Sequence, residues 1–226
     1  MEFVIEAKKV CKSFNGVSVL SDINLQIQKG KIVGIIGANG SGKSVLFKLL
    51  TGLNRPDSGE IYIRGEKIGE KFDFPSDVGI LINSPGYIEV YNGFDNLKFL
   101  AQINNKINDD QIINAMNLVK LDPKSKKKTK HYSMGMKQKL GIAQAIMENQ
   151  DIIILDEPFN GLDFETASDI RDAIKELKNN GKTILMTSHT HSDIEQLCDE
   201  TYIILDCRLR PLTMELKAKY FNNCSQ

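Results

Sequence analysis

The sequence predicts an α/β protein with a mostly parallel core sheet and a helical subdomain inserted into it. Three observations carry this. Short β-branched runs alternate with longer segments of helical period, the pattern of α/β layering. The run Ile152-Ile-Ile-Leu155 is apolar without alternation, as a strand buried on both faces should be. Between about residues 84 and 149 helical periodicity continues with no convincing strand.

Taken in chain order, strands are predicted over Phe3–Val10, Ile23–Ile27, Ile32–Ile36, Ile61–Ile63, Val78–Ile82, Ile152–Leu155, Thr183–Thr187 and Tyr202–Leu205, where β-branched residues gather between turn residues. Helices are predicted over Ser44–Leu53, Asn96–Ile103, Asp109–Val119, Lys137–Glu148, Glu165–Asn179 and Ser192–Cys198, from apolar positions three and four residues apart. Leu212–Phe221 reads as a last helix with no room beyond it for a regulatory domain. The expected division is one domain with a core of residues 1–83 and 150–226 and a helical subdomain of residues 84–149.

Composition narrows the function classes. The chain has 226 residues, 41% of them hydrophobic and 26% charged, the balance of an ordinary globular protein. Lys+Arg and Asp+Glu are both 29, so the net charge is zero and a strongly basic nucleic-acid binder is disfavoured. No stretch approaches about 18 consecutive apolar residues, so no membrane span is expected. The start, MEFVIEAKKV, lacks the basic and apolar regions of a signal peptide, which points to the cytoplasm. The four cysteines, Cys11, Cys198, Cys207 and Cys224, have no zinc-ligand spacing and read as reduced thiols.

The chemistry-bearing motif is Gly37-Ala38-Asn39-Gly40-Ser41-Gly42-Lys43-Ser44, which matches G-x-x-x-x-G-K-[ST]. It arises by chance in about one chain in a hundred of this length. An apolar strand, Ile32–Ile36, feeds it and a periodic segment follows. The glycines let backbone N–H groups turn toward phosphate oxygens. The following helix adds its positive N-terminal end. Lys43 can reach β- and γ-phosphates, and the Ser44 hydroxyl can ligate Mg²⁺.

A second motif closes the buried run: Leu155-Asp156-Glu157-Pro158. Ligands gather beyond the carboxyl ends of strands in open α/β sheets. Asp156 is expected to face the metal and Glu157 to polarise an attacking water. A solvated turn is the plainer alternative.

Together these motifs resemble the nucleotide-binding subunit of ATP-binding-cassette (ABC) transporters, over nearly the whole chain and in order. The discriminating piece is Tyr132-Ser133-Met134-Gly135-Met136-Lys137-Gln138, similar to that family's LSGGQ signature, ending its approach to Asp156 23 residues after Ser133. Gly161-Leu162-Asp163 resembles the D-loop, and Thr187-Ser188-His189 the switch histidine. Lys12-Ser-Phe14-Asn-Gly16 resembles the segment that places an aromatic under adenine; without the motif Phe14 would read as core.

The resemblance implies a P-loop NTPase cassette with an N-terminal antiparallel β part, binding ATP and Mg²⁺. It implies Glu157 and His189 in catalysis, and Ser44, Asp156 and Asn83 at the metal. It further implies a head-to-tail pair of cassettes, identical or similar. In that pair Ser133, Met134, Gly135, Met136 and Asp163 meet the ATP held by the partner, Ser133 also capping the helix that follows. Transmembrane permease subunits would hold the cassette at the inner face of the cell membrane.

Two departures from the family pattern stand out. Asn83 replaces the Q-loop glutamine, with one methylene less reach, and Met134 and Met136 replace glycine and glutamine in the signature. Both features resemble the branch that exports antimicrobial peptides, including bacitracin- and lantibiotic-resistance transporters. A cassette ATPase that moves no solute, such as a repair, translation or cluster-assembly factor, is the alternative. Tyr87, Ile88, Val90 and Tyr91, after a hinge at Pro85 and Gly86, are expected to form an exposed loop that docks the permease. The run Lys124-Ser-Lys126-Lys127-Lys128-Thr-Lys130 reads as a solvated loop, with an ATP funnel or lipid headgroup contact as the alternatives.

Overall fold

The computed structural model describes residues 2–70, 72–83, 86–188 and 191–217, with only the backbone described for 191 and 192. In chain order the elements are β1 (Phe3–Phe14), β2 (Val17–Gln28), β3 (Ile32–Ile36), α1 (Lys43–Leu50), β4 (Ser58–Ile63), β5 (Glu66–Lys67) and β6 (Val78–Leu81). Then come α2 (Gly93–Asn104), α3 (Asp109–Leu118), a 3₁₀ turn (Thr129–His131), α4 (Met134–Ile146), β7 (Ile152–Leu155) and α5 (Phe164–Asn179). The chain continues through β8 (Thr183–Thr187), α6 (His191–Leu197), β9 (Glu200–Leu205) and β10 (Arg208–Pro211). The expected helix at Leu212–Phe221 falls partly outside the described residues. Two compact units result: residues 1–76 with 185–226, and residues 77–184.

The first unit holds the antiparallel sheet, in the order β2-β1-β4-β5. Alternation drives it: Leu20, Ile23, Leu25 and Ile27 of β2 are buried while their neighbours face outward. The β1–β2 turn is Asn15-Gly16, both at positive φ (50° and 79°), with Phe14 opposite Val17. Asn-Gly suits the two left-handed residues of a tight hairpin. In the same unit β3 pairs parallel with β9, Val33 opposite Glu200 through Ile36 opposite Ile203, and β10 returns antiparallel beside β9. All five residues of β3 are buried. A Cβ on Gly34 would lie 2.8 Å from both Ile194 Cδ1 of α6 and Sγ of Cys198 just beyond it, so this segment sits directly on the strand.

In the second unit β6 and β7 pair in parallel, Val78 opposite Ile152 through Leu81 opposite Leu155. All four β7 residues are buried. Helix α4 crosses β6 so closely that a Cβ on Gly79 would stand 1.9 Å from Ala145 O. Among the described residues no strand lies between Leu81 and Ile152; α2, α3, the 3₁₀ turn and α4 fill that stretch. Their entry points are set by side chains. Asn92 caps α2, and Asn108 with Gln111 makes a reciprocal capping box on α3. Leu97, Ile112, Met116, Leu140 and Ile142 are buried beneath them.

Candidate functional site

The loop after β3 is shaped by its glycines and closed by Lys43. Gly37 has φ 157°, and a Cβ there would meet Ser41 Oγ at 2.5 Å. Gly42, at φ 103°, is the N-cap of α1, and a Cβ on it would press on Leu20 Cδ2 (3.0 Å) and Val19 Cγ1 (3.1 Å). Lys43 is buried, and its Nζ donates to Gly37 O (2.9 Å) and Ala38 O (3.1 Å), so the loop wraps around the ammonium. Ala38, Asn39 and Gly40 form the exposed crest. Ser41 Oγ is buried and has no hydrogen-bond partner among the described residues.

Helix α1 differs from its neighbours at the N-terminus. Asn92, Asn108, Ser133 and Asp163 cap α2, α3, α4 and α5 with side-chain oxygens. Gly42 brings α1 no such oxygen, and no acid lies in its first turn. Its first N–H groups and the positive end of its dipole are therefore not spent on a side chain of the helix, an arrangement that favours an anion. Ser44, half-buried, sits in that first turn.

The acidic pair stands where the strand reading put it. Asp156 follows β7, and its backbone N–H donates to Leu81 O (2.7 Å), tying the end of β7 to β6. Asn83 and Glu157 lie two residues past the paired ends Leu81 and Leu155, and both have left-handed backbone (φ 60° and 51°). Such a conformation costs a non-glycine residue about 1–2 kcal/mol. It turns the chain sharply at the carboxyl edge of the two strands, where ligands of α/β sheets bind. The hydroxyl of Ser44 and the carboxylate of Asp156 are hard oxygen donors of the kind Mg²⁺ takes alongside phosphate. Among the described residues no cluster of three or more His, Cys, Asp and Glu could hold a metal alone.

Signature and D-loop come together within the second unit. Ser133 is the N-cap of α4, its Oγ accepting from Met136 N (3.2 Å). A Cβ on Gly135 would meet Thr166 Cγ2 at 2.8 Å, and one on Gly161 would meet Met134 Cε at 2.7 Å. Thr166 in turn donates to Asp163 through its backbone N–H (2.9 Å) and its hydroxyl (2.9 Å). These bonds, the backbone one foremost, hold the Asp163 carboxyl below the usual range. Asp163 thus serves as the cap of α5, a role its place just before a periodic segment signals and the D-loop reading passed over.

The remaining expected positions divide. Phe14 is 43% exposed at the hairpin tip with Lys12 Nζ 5.3 Å from its ring centre, which removes the core alternative. His189 and Pro85 lie outside the described residues. Ile88, Val90 and Tyr91 are exposed as expected. Tyr87 is instead half-buried: its hydroxyl donates to Lys137 O (3.1 Å), and burial pushes its pKa up. Sequence reasoning missed Asn96, a buried amide that accepts from Ile88 N (2.7 Å) and donates to Ile88 O (3.2 Å) and Asn92 O (2.8 Å), clamping this loop. A buried asparagine within a helical period gives no sequence signal of such a clamp.

A buried strand, a glycine loop closed on a lysine and a helix start without a side-chain cap define a P-loop nucleotide-binding protein. A family model described as ABC transporter matches residues 20–160, and the chain belongs to that family. It is 39% identical over 196 residues to the uncharacterized ABC transporter ATP-binding protein YybJ of Bacillus subtilis (strain 168), covering 87% of this chain and 90% of that protein. It is 39% identical over 201 residues to the bacitracin transport ATP-binding protein BcrA of Enterococcus faecalis, covering 88% of this chain and 65% of that one. The lantibiotic transport ATP-binding protein SrtF of Streptococcus pyogenes is 34% identical over 196 residues, with 87% and 84% covered. Among solved structures, an ATP binding subunit of an ABC transporter superposes with TM-score 0.83 at 25% identity, covering 97% of this chain and 93% of the other. The ATP-binding cassette MJ0796 in a dimeric post-hydrolysis state bound to ADP and Pi superposes with TM-score 0.82 at 22% identity, covering 93% and 98%. The fold is therefore that of the ATP-binding cassette.

Proposed function

We propose that this chain is the ATP-binding and ATP-hydrolysing motor subunit of a bacterial exporter of antimicrobial peptides or related compounds. The observation that carries the nucleotide reading is the α1 start. A buried lysine closes the loop there, and the helix N-terminus carries neither a side-chain cap nor an acid. The peptide-export reading is supported by the likeness to the bacitracin and lantibiotic transport proteins, and Met134 and Met136 agree with the resemblance to that branch drawn from the sequence.

In this reading Gly37 to Ser44 cradle the triphosphate, with Lys43 at the β- and γ-phosphates and Ser41 supplying its buried hydroxyl. Phe14 stacks on adenine through its exposed ring. Ser44 and Asp156 hold Mg²⁺, with Asn83 near it, and the bound ion neutralises the charge on the phosphate oxygens. Glu157 accepts a proton from the attacking water, and His189 contacts the γ-phosphate. Two cassettes, identical or similar, close head to tail, so that Ser133 to Met136 and Asp163 of each complete the site of the other. A permease docked on Ile88 and its neighbours holds the pair at the inner face of the membrane. No described helix is itself long and apolar enough to cross it.

Isothermal titration with Mg-ATP tests the cradle. Lys43→Ala removes a charge-assisted contact, about 1.5–3 kcal/mol, so affinity should fall by about tenfold or more. Unchanged affinity would reduce the loop to a turn.

A further inference from the structure

Two of the seven methionines stand in the signature, and the proposed function uses the sulfur of neither. Met116, Met147 and Met186 are buried. Met134, the first residue of α4, is 57% exposed. Its thioether lies on the D-loop: a Cβ on Gly161 would stand 3.1 Å from its Sδ and 2.7 Å from its Cε. Among the described residues no hydrogen bond reaches that sulfur. Met136, two residues on, is half-buried, and its sulfur has a different neighbour. Lys127 Nζ stands 3.8 Å from Met136 Sδ and donates to it. Two sulfurs of one motif therefore differ in access and in local charge.

We propose that Met134 is a site of reversible oxidation by peroxides, and that its sulfoxide opposes pairing of the cassettes. In the step, a sulfur lone pair attacks one oxygen of hydrogen peroxide, the O–O bond breaks, and water leaves as the S–O bond forms. Sulfur gives up two electrons and the peroxide is reduced. Because the lone pair is the nucleophile, access and neighbouring charge decide which sulfur reacts. Met134 is open on both counts. At Met136 the cover slows the oxidant, and the Lys127 ammonium engages the lone pair and opposes the positive charge that sulfur gains. Oxidation turns an apolar thioether into a polar group with an acceptor oxygen. At Met134 that oxygen forms beside Gly161, on the surface proposed to meet the phosphates held by a second copy. It repels phosphate oxygens, and closure buries it as an acceptor without a donor. Met134 is exposed only while the cassettes are apart, so closure on ATP shields it. Methionine sulfoxide reductases regenerate the thioether, which makes the block reversible. The effect on pairing rests on the proposed function; the order of oxidation does not.

Peptide mass mapping of the wild-type chain after hydrogen peroxide tests the order of oxidation. Met134 should gain oxygen at a rate close to that of Met214, which is 82% exposed, while Met136 lags. Lys127→Ala should speed oxidation of Met136 by about threefold, the worth of a hydrogen bond at the weak end, and leave Met134 unchanged. Equal rates at Met134 and Met136, or a Met134 as slow as buried Met116, would overturn the assignment. For the effect on pairing, the Glu157→Gln chain is treated with peroxide before Mg-ATP is added. The ATP-dependent dimer, read by light scattering, should weaken by at least about fivefold, the penalty for burying one unpaired acceptor. Methionine sulfoxide reductases should restore it and dithiothreitol alone should not, which separates Met134 from the cysteines. Met134→Leu, compared with its own untreated sample, should resist the treatment. A dimer indifferent to oxidation of Met134, or restored by dithiothreitol alone, would sink the proposal. If the untreated chain never pairs, the motor reading falls, and the oxidation map alone upholds or overturns Met134 as the site.

Discussion

Glu157 and Asn83 show how much a single backbone dihedral sets at this edge. Each is a non-glycine residue with left-handed backbone immediately past a buried parallel strand. The paired strand ends, pinned by the Asp156 N–H on Leu81 O, hold both turns in place. Glu157→Gln keeps the size and removes the carboxylate proposed as the base. Turnover should fall by about a hundredfold or more while ATP affinity is retained. Phosphate release checks the first and titration the second, and a variant that hydrolyses normally would remove Glu157 from the chemistry. With hydrolysis blocked, an ATP-dependent dimer should accumulate, visible by size-exclusion with light scattering.

Among the elements, α4 is the most constrained, since it touches strand, neighbouring helix and D-loop together. Gly79→Ala sets a methyl against the Ala145 carbonyl, which is backbone and cannot swing away. A cost of about 1–3 kcal/mol should follow, read as a lower urea midpoint. The same helix is tied to α5 by Lys139 on Asp169 (2.6 Å), and Lys120 joins from the α3 end (2.7 Å). Burial works to raise the Asp169 carboxyl, and the hydrogen bonds from Lys120 and Lys139 outweigh it, leaving the pKa lowered. Its stabilisation is thus fully present above the unfolded value near 4 and is lost as pH falls through the lower folded value. Asp169→Asn should destabilise by about 1–2 kcal/mol at pH 7 and by progressively less at acid pH. Urea titrations at both pH values check the sign, and a difference that grows on acidification would refute it.

For the molecule as a whole, the proposed site is one that a second copy completes. A mixture of Lys43→Ala and Ser133→Arg chains should form dimers in which one composite site is intact and the other carries both lesions. Part of the ATPase activity lost in each variant alone should return on mixing. If nothing returns, crosslinking between positions 41 and 134 separates a wrong arrangement from two sites that must fire together. At the membrane, Ile88→Ser should leave ATP affinity unchanged, weaken copurification of a permease and lower export-linked resistance. A variant that still supports both would place permease docking elsewhere.

The local code for this protein was legible without coordinates. Ile32–Ile36, Ile152–Leu155 and Thr183–Thr187 match their strands at both ends, because continuous apolar runs between breakers admit little else. The glycine loop between β3 and α1 and the strand end at Asp156-Glu157 were legible too, since glycines and a buried apolar run mark where the chain must turn. Short elements escaped: Glu66–Lys67 and Arg208–Pro211 are polar, and only the strands beside them make them strands. Tertiary structure alone decided that Lys43 is buried against loop carbonyls and that Thr166 links Gly135 to Asp163. It alone decided that Asn96 clamps the loop of Ile88, and that Thr129 joins that loop through Tyr91 O. Each of these joins segments through space by a distance of a few ångströms, and a one-dimensional pattern records period and residue type but not which distant surfaces come into contact.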